Sequence, residues 1–81
     1  MVYVGTREYG YRRMIMSHMA ADTLDELHKM AISLGISTKY FQNKEGKPHY
    51  DICKEKKQLA IKLGAKLVND RELILLWKKI N

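Results

Sequence analysis

The mostly apolar run of residues 14–20 is followed almost at once by a helix start signal, and this junction constrains the fold more than any other part of the chain. A run of this length and composition is typical of a central strand covered on both faces. Thr23 and Glu26 then have the spacing of a capping box, which marks a helix start. The apolar residues that follow recur with helical periodicity up to Gly35, which suits the C-cap: Leu24, Leu27, Met30, Ala31 and Leu34. The sequence therefore predicts a buried strand leading into an amphipathic helix.

Other short strands and two more helices are predicted around this unit. Residues 2–4, 38–42 and 66–68 have strand character, whereas residues 5–13 and 43–48 are predicted to be loops, the first of them basic. His49 and Tyr50 are predicted to be extended, and Asp51 is predicted to cap a second helix that ends at Gly64.

The third predicted helix starts at the cap pair Asn69 and Glu72, and an apolar stripe follows it: Leu73, Leu76, Trp77 and Ile80. Helices that alternate with short apolar strands predict an α/β protein, namely a small single-domain sheet of about four short strands with three helices across residues 1–81.

Size and charge limit the classes of function. A chain of 81 residues buries only about 60% of its unfolded surface, so self-association would help to stabilise it. The net charge of +6 favours anionic partners such as nucleotides, nucleic acid or acidic surfaces, although it also suits simple solubility. The lone Cys53 cannot form an intramolecular disulfide, and the N-terminus carries no signal-peptide core or apolar span. We therefore expect a cytoplasmic protein with no membrane segment.

Two predicted strand-to-helix junctions carry the side chains best suited to chemistry. If the two strands are neighbours that point the same way, His18, Asp22, His49 and Asp51 meet at the carboxyl edge, where open α/β sheets bind ligands. Helix N-termini and nearby cations at such an edge suit phosphate. The candidate ligand-binding residues are Arg13, Ser17, His18, Asp22, Gln42, His49, Tyr50, Asp51 and Lys56.

Each of these residues also has an ordinary structural interpretation. Asp22 and Asp51 suit helix caps, and His18 suits a hydrogen-bonded interior position. Tyr50, with Tyr3, Tyr9 and Tyr11, could stack on a base or simply cover a small core. Two histidines and two aspartates could hold a divalent metal, but their spacing matches no metal motif, so neither a metal nor a cofactor is predicted.

Several short patterns are shared with one known group of proteins. They are Val2-Tyr3-Val4, Arg13-Met14, Met16-Ser17-His18-Met19, Ala21-Asp22-Thr23, Glu26-Leu27-His28, Met30-Ala31, Gln42, His49-Tyr50-Asp51-Ile52, Lys56, Gly64-Ala65 and Arg71-Glu72-Leu73. On these residues the chain resembles an uncharacterised family of short phage and bacterial proteins, known only as a domain of unknown function. It departs from that family at Gly5, where an acidic residue is common, and at Glu55, where a small hydroxyl residue is common. The resemblance implies the cytoplasm of a bacterium or of a phage-infected bacterial cell and implies no activity.

The leading functional prediction is a binding protein for a phosphorylated or nucleotide-like small molecule, for example a phage protein that sequesters a host nucleotide signal, and it includes self-association as a homo-oligomer. The first alternative is a small phosphoesterase or nuclease that uses His18 and His49 as acid and base. Enzymatic turnover is less favoured than binding, because no phosphate loop or nucleophile elbow is present. The second alternative is a nucleic-acid-binding module that contacts phosphates through arginines and lysines, and no recognition motif favours it.

Overall fold

The computed structural model describes residues 1–80, apart from the side chain of Ile80. The chain forms β1 (Val2–Gly5), β2 (Tyr9–Tyr11), β3 (Met14–Ala21), α1 (Leu24–Ser33), a short 3-10 helix (Thr38–Tyr40), β4 (Gln42–Lys44), β5 (Lys47–Cys53), α2 (Lys54–Lys62), β6 (Lys66–Val68) and α3 (Asp70–Ile80). The α/β class and the three helices agree with the prediction. No helix in the described part of the chain has the length and apolar character needed to cross a membrane.

The strands form one mixed sheet in which β3 is central. The strand order is β4-β5-β3-β1-β6, and β2 pairs with the first half of β3. All pairs are antiparallel except β1 with β6. Met16 pairs with both Cys53 and Tyr9, so β5 lies on one side of β3, whereas β2 and β1 follow one another along the other side.

The sheet has six strands, so the prediction of about four strands was wrong. Residues 5–13, predicted to be a loop, contain β2, which forms a hairpin with β3 through a turn with Arg12 at a φ of 59°. Residues 43–48, also predicted to be a loop, belong largely to the hairpin of β4 and β5. Glu45 and Gly46 have φ values of 56° and 71° at its turn, as a two-residue hairpin connection with the twist of its strands requires.

Two more predictions about local structure were wrong. Residues 38–42 were predicted to be a strand, but the 3-10 helix occupies Thr38–Tyr40, and its N-cap Ser37 accepts a hydrogen bond from the Lys39 N–H. Asp51 was predicted to cap the second helix, but it lies within β5, and the N-cap of α2 is Cys53. Asp51 is held in the strand by cross-strand pairing with His18.

The larger core lies between one face of the sheet and helices α1 and α2. Successive residues of a strand point to opposite faces, so alternate positions of β1, β3 and β5 contribute to it. Its buried residues are Val2, Val4, Met19, Ala21, Leu27, Ala31, Leu34, Tyr50, Ile52, Ala60 and Ala65. Burial of a large apolar side chain such as Met19 or Leu27 stabilises the fold by roughly 1.5–3 kcal/mol.

Helix α3 covers part of the opposite face of the sheet. Leu73 and Trp77 are buried there with Ala20 and Val68, and Leu76 packs against them. The predicted stripe on this helix therefore faces the sheet as far as Trp77, whereas Ile80 falls outside the described side chains. Gly5 allows this close packing, because a Cβ at that position would lie 3.0 Å from Cδ1 of Leu73.

Candidate functional site

The register of β3 against β5 brings two histidines and an aspartate together on the face that α3 covers only in part. His18 is paired with Asp51, and His49 lies two residues before Asp51 in the same strand. Side chains two residues apart in a strand share a face, so all three point the same way. Gln42 is paired with His49 from the edge strand β4 and joins the same face. We call His18, His49 and Asp51 the His–Asp cluster.

The two imidazoles of the His–Asp cluster meet at one carboxylate oxygen. Nδ1 of His18 lies 2.8 Å from Oδ1 of Asp51, and Nε2 of His49 lies 3.4 Å from that same oxygen. The amide of Gln42 donates to the other oxygen, Oδ2, over 2.8 Å. The centres of the two imidazole rings are 4.8 Å apart. Side chains that are distant in the sequence thus form one connected polar group.

His49 is the most constrained member of the cluster. Its Nδ1 lies 2.6 Å from the carbonyl oxygen of Lys47, which can only accept, so Nδ1 carries a hydrogen and Nε2 faces Asp51. The ring of Trp77 packs beside it with centroids 5.9 Å apart, and the indole N–H of Trp77 donates to the Pro48 carbonyl over 3.1 Å. The Lys47 carbonyl therefore orients the His49 ring, and Trp77 of α3 packs beside it.

The contacts of the cluster shift its acid–base behaviour. Burial acts to raise the pKa of Asp51, but its contacts with His18, His49 and Gln42 and the nearby Tyr9 hydroxyl outweigh burial and hold that pKa well below its ordinary value. For His49, burial acts to lower the pKa, but Asp51 and the Lys47 carbonyl outweigh it and raise the pKa. Asp51 is therefore an anion at neutral pH and acts as an acceptor or a ligand rather than as a proton donor.

A hollow of about 650 Å³ opens beside Asp51. We call it the tyrosine hollow, because three tyrosine rings line it. Its lining residues are Tyr9, Tyr11, Met14, Met16, Ile36, Tyr40, Gln42, Asp51, Ile52, Cys53 and Lys56. The hydroxyl oxygen of Tyr9 is buried and has no hydrogen-bond partner in the described part of the chain. Burial, together with the nearby Asp51 charge, raises the pKa of Tyr9.

A smaller hollow of about 200 Å³ lies on the other side of the cluster, against α3. His18 and His49 line it together with Trp77 and Asp70. The two histidines therefore face the smaller hollow, whereas Asp51 and Gln42 face the tyrosine hollow. The His–Asp cluster forms the wall between them.

The N-terminus of α2 borders the tyrosine hollow. Its N-cap residue, Cys53, lines the hollow but makes no side-chain hydrogen bond to the first turn of the helix. The first N–H groups of a helix need an acceptor and carry partial positive charge. Lys56 lines the hollow from the same first turn. This corner combines helix N–H groups with a cation, which suits an anion.

The structure brings some of the predicted site residues together. His18, His49, Asp51 and Gln42 are in mutual contact, and Lys56 joins Asp51 and Gln42 in the wall of the tyrosine hollow. The geometric reason given for their meeting was wrong, because β3 and β5 are antiparallel and no shared carboxyl edge exists between them. The cluster forms instead in the middle of two paired strands.

The other predicted site residues lie elsewhere. Ser17 is buried on the opposite face of the sheet, where it accepts a hydrogen bond from Lys57. Asp22 accepts hydrogen bonds from the Tyr3 hydroxyl and lies 3.4 Å from the N-terminal amine. Tyr50 is completely buried, and Arg13 is exposed beside the turn between β2 and β3.

Sequence reasoning missed several residues that shape the site. Tyr40, Met16 and Cys53 line the tyrosine hollow, although Tyr40 lay in a predicted strand and Met16 in a predicted central strand covered on both faces. His28, which was not among the candidate ligand-binding residues, is bonded through Nδ1 to the Tyr50 hydroxyl over 2.7 Å. The alternation of Tyr9 and Tyr11 around Gly10 was the available signal for β2 and its exposed rings.

Comparison with known proteins identifies the family of the chain but supplies no activity. No curated protein and no solved structure matches the chain. The family match covers residues 2–80, which confirms the resemblance drawn from the sequence. The chain belongs to the family described as "Protein of unknown function (DUF4031)".

Proposed function

We propose that this protein binds a nucleotide-like, phosphorylated small molecule in the tyrosine hollow. The observation that carries the proposal is the combination, in one hollow, of aromatic rings with an uncapped helix N-terminus and a lysine. The volume of about 650 Å³ falls within the usual range of small-molecule sites, about 300–1,000 Å³. Capture of a host nucleotide signal by a phage protein is a biological role of this kind.

The ring of the ligand would lie among the tyrosines and methionines. Tyr11 and Tyr40 are 56% and 60% exposed, so their rings are accessible to a ligand in the hollow. Stacking of one base on an aromatic side chain contributes roughly 1–3 kcal/mol. Met14 and Met16 supply adaptable apolar surface beside these rings. This wall therefore suits a flat heterocycle.

The polar edge of the ring would meet Gln42. The amide nitrogen of Gln42 donates to Asp51, which fixes the amide orientation and leaves its carbonyl oxygen as an acceptor. An amino group on a base would donate to that oxygen. Asp51 also lines the hollow as an anion, so it favours donors on the ligand over acceptors.

The phosphate would lie at the N-terminus of α2, beside Lys56. Hydrogen bonds to charged groups contribute about 1.5–3 kcal/mol each, and charge-assisted contacts to phosphate belong to this class. The net charge of +6 favours the approach of such an anion. Phosphate and base would then be held by different walls of one hollow.

Calorimetric titration of the full chain with AMP, ADP, ADP-ribose and cyclic dinucleotides tests the proposal. We expect at least one of them to bind with a Kd well below the millimolar range, and adenosine and inorganic phosphate to bind more weakly than the intact nucleotide. Lys56→Gln should weaken binding by about tenfold or more, because it removes a charge-assisted contact. Lys62→Gln is the matched control, since Lys62 lies at the other end of α2 and does not line the hollow. Absence of binding by every nucleotide, or equal effects of the two variants, would contradict the proposal.

A phosphoesterase is the second candidate function, and the contact of His18 with Asp51 favours it. A carboxylate that orients an imidazole, with a second imidazole nearby, is an arrangement used for general acid–base catalysis. Turnover separates the two functions: nucleotides incubated with excess protein should be recovered unchanged if the protein only captures them. Hydrolysis that is lost in both His18→Gln and His49→Gln would instead favour the enzyme.

Nucleic-acid binding, self-association and the cellular location are further proposals. Binding of nucleic acid is less favoured than binding of a small molecule, and Lys57, one of the lysines of α2, is buried beside Ser17 and 3.6 Å from Glu8. A homo-oligomer would cover exposed apolar side chains such as Leu75. We place the protein in the cytoplasm of a bacterium or of a phage-infected bacterial cell, where Cys53 would remain a free thiol.

A further inference from the structure

We propose that His18, His49 and Asp51 form a binding site for one divalent transition metal ion of the zinc class. One ligand atom from each residue lies within 4.8 Å of the other two. Metal binding needs only the side chains of the His–Asp cluster and no nucleotide, although Asp51 also lines the tyrosine hollow. It differs from the sequence-based interpretation, which predicts no metal.

The orientation of His49 is the first observation that supports a metal. Its Nδ1–H donates to the Lys47 carbonyl, so Nε2, which faces Oδ1 of Asp51, is the ring nitrogen that can bind a metal once it has lost its proton. A metal ion between Nε2 and Oδ1 would take the place of that proton. Histidines that bind metals commonly donate their other N–H to a backbone carbonyl or carboxylate, which fixes the tautomer.

The distance between these two atoms is the second observation. Charge-assisted hydrogen bonds from nitrogen to a carboxylate are about 2.7–2.9 Å long, and 3.4 Å is too long for one. Two ligands that each lie about 2.0–2.2 Å from a tetrahedral zinc ion are separated by about 3.4 Å. The spacing of Nε2 and Oδ1 therefore fits two corners of a metal tetrahedron better than it fits a hydrogen bond.

The surroundings of the cluster are the third observation. Gln42 donates to Oδ2 of Asp51 and so holds the carboxylate, and Oδ1, which faces both imidazoles, would bind the metal in place of its 2.8 Å contact with Nδ1 of His18. The buried Tyr9 hydroxyl lacks a hydrogen-bond partner in the described part of the chain, and its ring lies 5.2 Å from that of His18. A water bound to the metal would supply the missing partner.

The donor set selects the class of metal. Two imidazoles with one carboxylate suit zinc, cobalt, nickel or iron, whereas magnesium and calcium prefer oxygen ligands alone. Three protein ligands leave one position open for water or for a ligand oxygen, as in catalytic zinc sites. His18 has 34% of its side chain exposed and Asp51 26%, so solvent can reach that position.

Titration of the EDTA-treated full chain with Co²⁺ and Zn²⁺ tests this inference without any nucleotide, so its result does not depend on the proposed function. The chain carries Cys53→Ser, which removes its only thiol as an alternative ligand. Co²⁺ should give visible absorption bands that saturate at one ion per chain and should quench the only tryptophan, since the Trp77 ring lies 5.9 Å from that of His49 and 6.2 Å from that of His18. Zn²⁺ should displace the cobalt, and Mg²⁺ should not.

Variants of the ligands and of one control histidine complete the test. Gln42→Leu removes a hydrogen bond to the Asp51 carboxylate and should weaken Zn²⁺ binding about 10–100-fold. Each variant that removes a metal ligand should weaken Zn²⁺ binding by more than this, namely His18→Gln, His49→Gln and the near-isosteric Asp51→Asn. His28→Gln is the control, because His28 is the third histidine and lies with Tyr50 on the opposite face. Circular dichroism checks that each variant is folded. Absence of saturable Co²⁺ bands in the folded parent chain, or an equal loss of affinity in His28→Gln, would overturn the inference.

Discussion

Tyr50 and Asp51 are neighbours in β5, but their side chains lie on opposite faces of the sheet, because side chains alternate along a strand. Asp51 therefore belongs to the His–Asp cluster, whereas Tyr50 is enclosed by the larger core. Inside that core the Tyr50 hydroxyl is bonded to His28, and the rings of Phe41 and His28 pack against it. At the residue scale, Tyr50 stabilises the fold, whereas Asp51 supplies the carboxylate of the candidate site.

Tyr50→Phe should lower the free energy of unfolding by about 1 kcal/mol, because it removes one hydrogen bond while His28 is only half-buried and can bond to water instead. Urea denaturation followed by circular dichroism measures this change. Binding of nucleotide and of Zn²⁺ should stay within about twofold of the parent chain, since Tyr50 faces away from both sites. A large loss of binding without a loss of stability would show that Tyr50 contacts the ligand.

At the scale of elements, the N-terminus of α2 decides whether the tyrosine hollow can hold an anion. Helices α1 and α3 begin with side-chain caps: Thr23 accepts from the Glu26 N–H over 3.2 Å, and Asn69 accepts from the Glu72 N–H over 2.9 Å. Cys53 provides no such bond to α2. The helix N–H groups beside the hollow are therefore left for a ligand or solvent.

Replacement of Cys53 by Asp should separate helix stability from anion binding. An aspartate at the N-cap should raise the free energy of unfolding by about 1 kcal/mol, because it accepts from the first turn of α2. The same carboxylate should weaken nucleotide binding several-fold, since like charges repel. Cys53→Ser is the neutral control for urea denaturation and calorimetry. Tighter nucleotide binding by the aspartate variant would place the phosphate away from this helix.

The elements that the sequence predicts well are those with strong local signals. Both capping pairs and the apolar periodicity marked α1 and α3, and the apolar run marked β3. β2 and β4 have only three residues each and are half-exposed or exposed, so their patterns are too short to distinguish a strand from a loop. Asp51 was misassigned because a carboxylate two residues before an N-cap has the same local signature as a cap.

At the scale of the whole molecule, two cores lie on opposite faces of one sheet and share its strands. Val4 and Met19 belong to the larger core, and Ala20, the neighbour of Met19 in β3, belongs to the core under α3. Neither face can lose its packing without loosening β1 and β3. The pairing of β3 with β5 also brings the His–Asp cluster together. The sequence could not predict this arrangement in full, because strand order and register do not depend on local sequence alone.

The two cores should therefore unfold together. Fluorescence of Trp77 reports the face under α3, whereas far-ultraviolet circular dichroism reports the helices on both faces. Their urea transitions should coincide, as expected for a two-state domain of this size. Fluorescence that changes at clearly lower urea than the dichroism would instead show that α3 detaches from a sheet that remains folded.

Titration of ¹⁵N-labelled protein with the tightest-binding nucleotide, followed by amide chemical shifts, tests the central claim most directly. Residues around the tyrosine hollow should shift together and saturate with the affinity measured by calorimetry, notably Tyr9, Gln42, Cys53 and Lys56. Amides on the exposed side of α1, such as those of Ile32 and Ser33, should remain in place. Shifts centred on α1, or no saturable shift at any residue of the hollow, would contradict the claim that this face of the sheet binds the ligand.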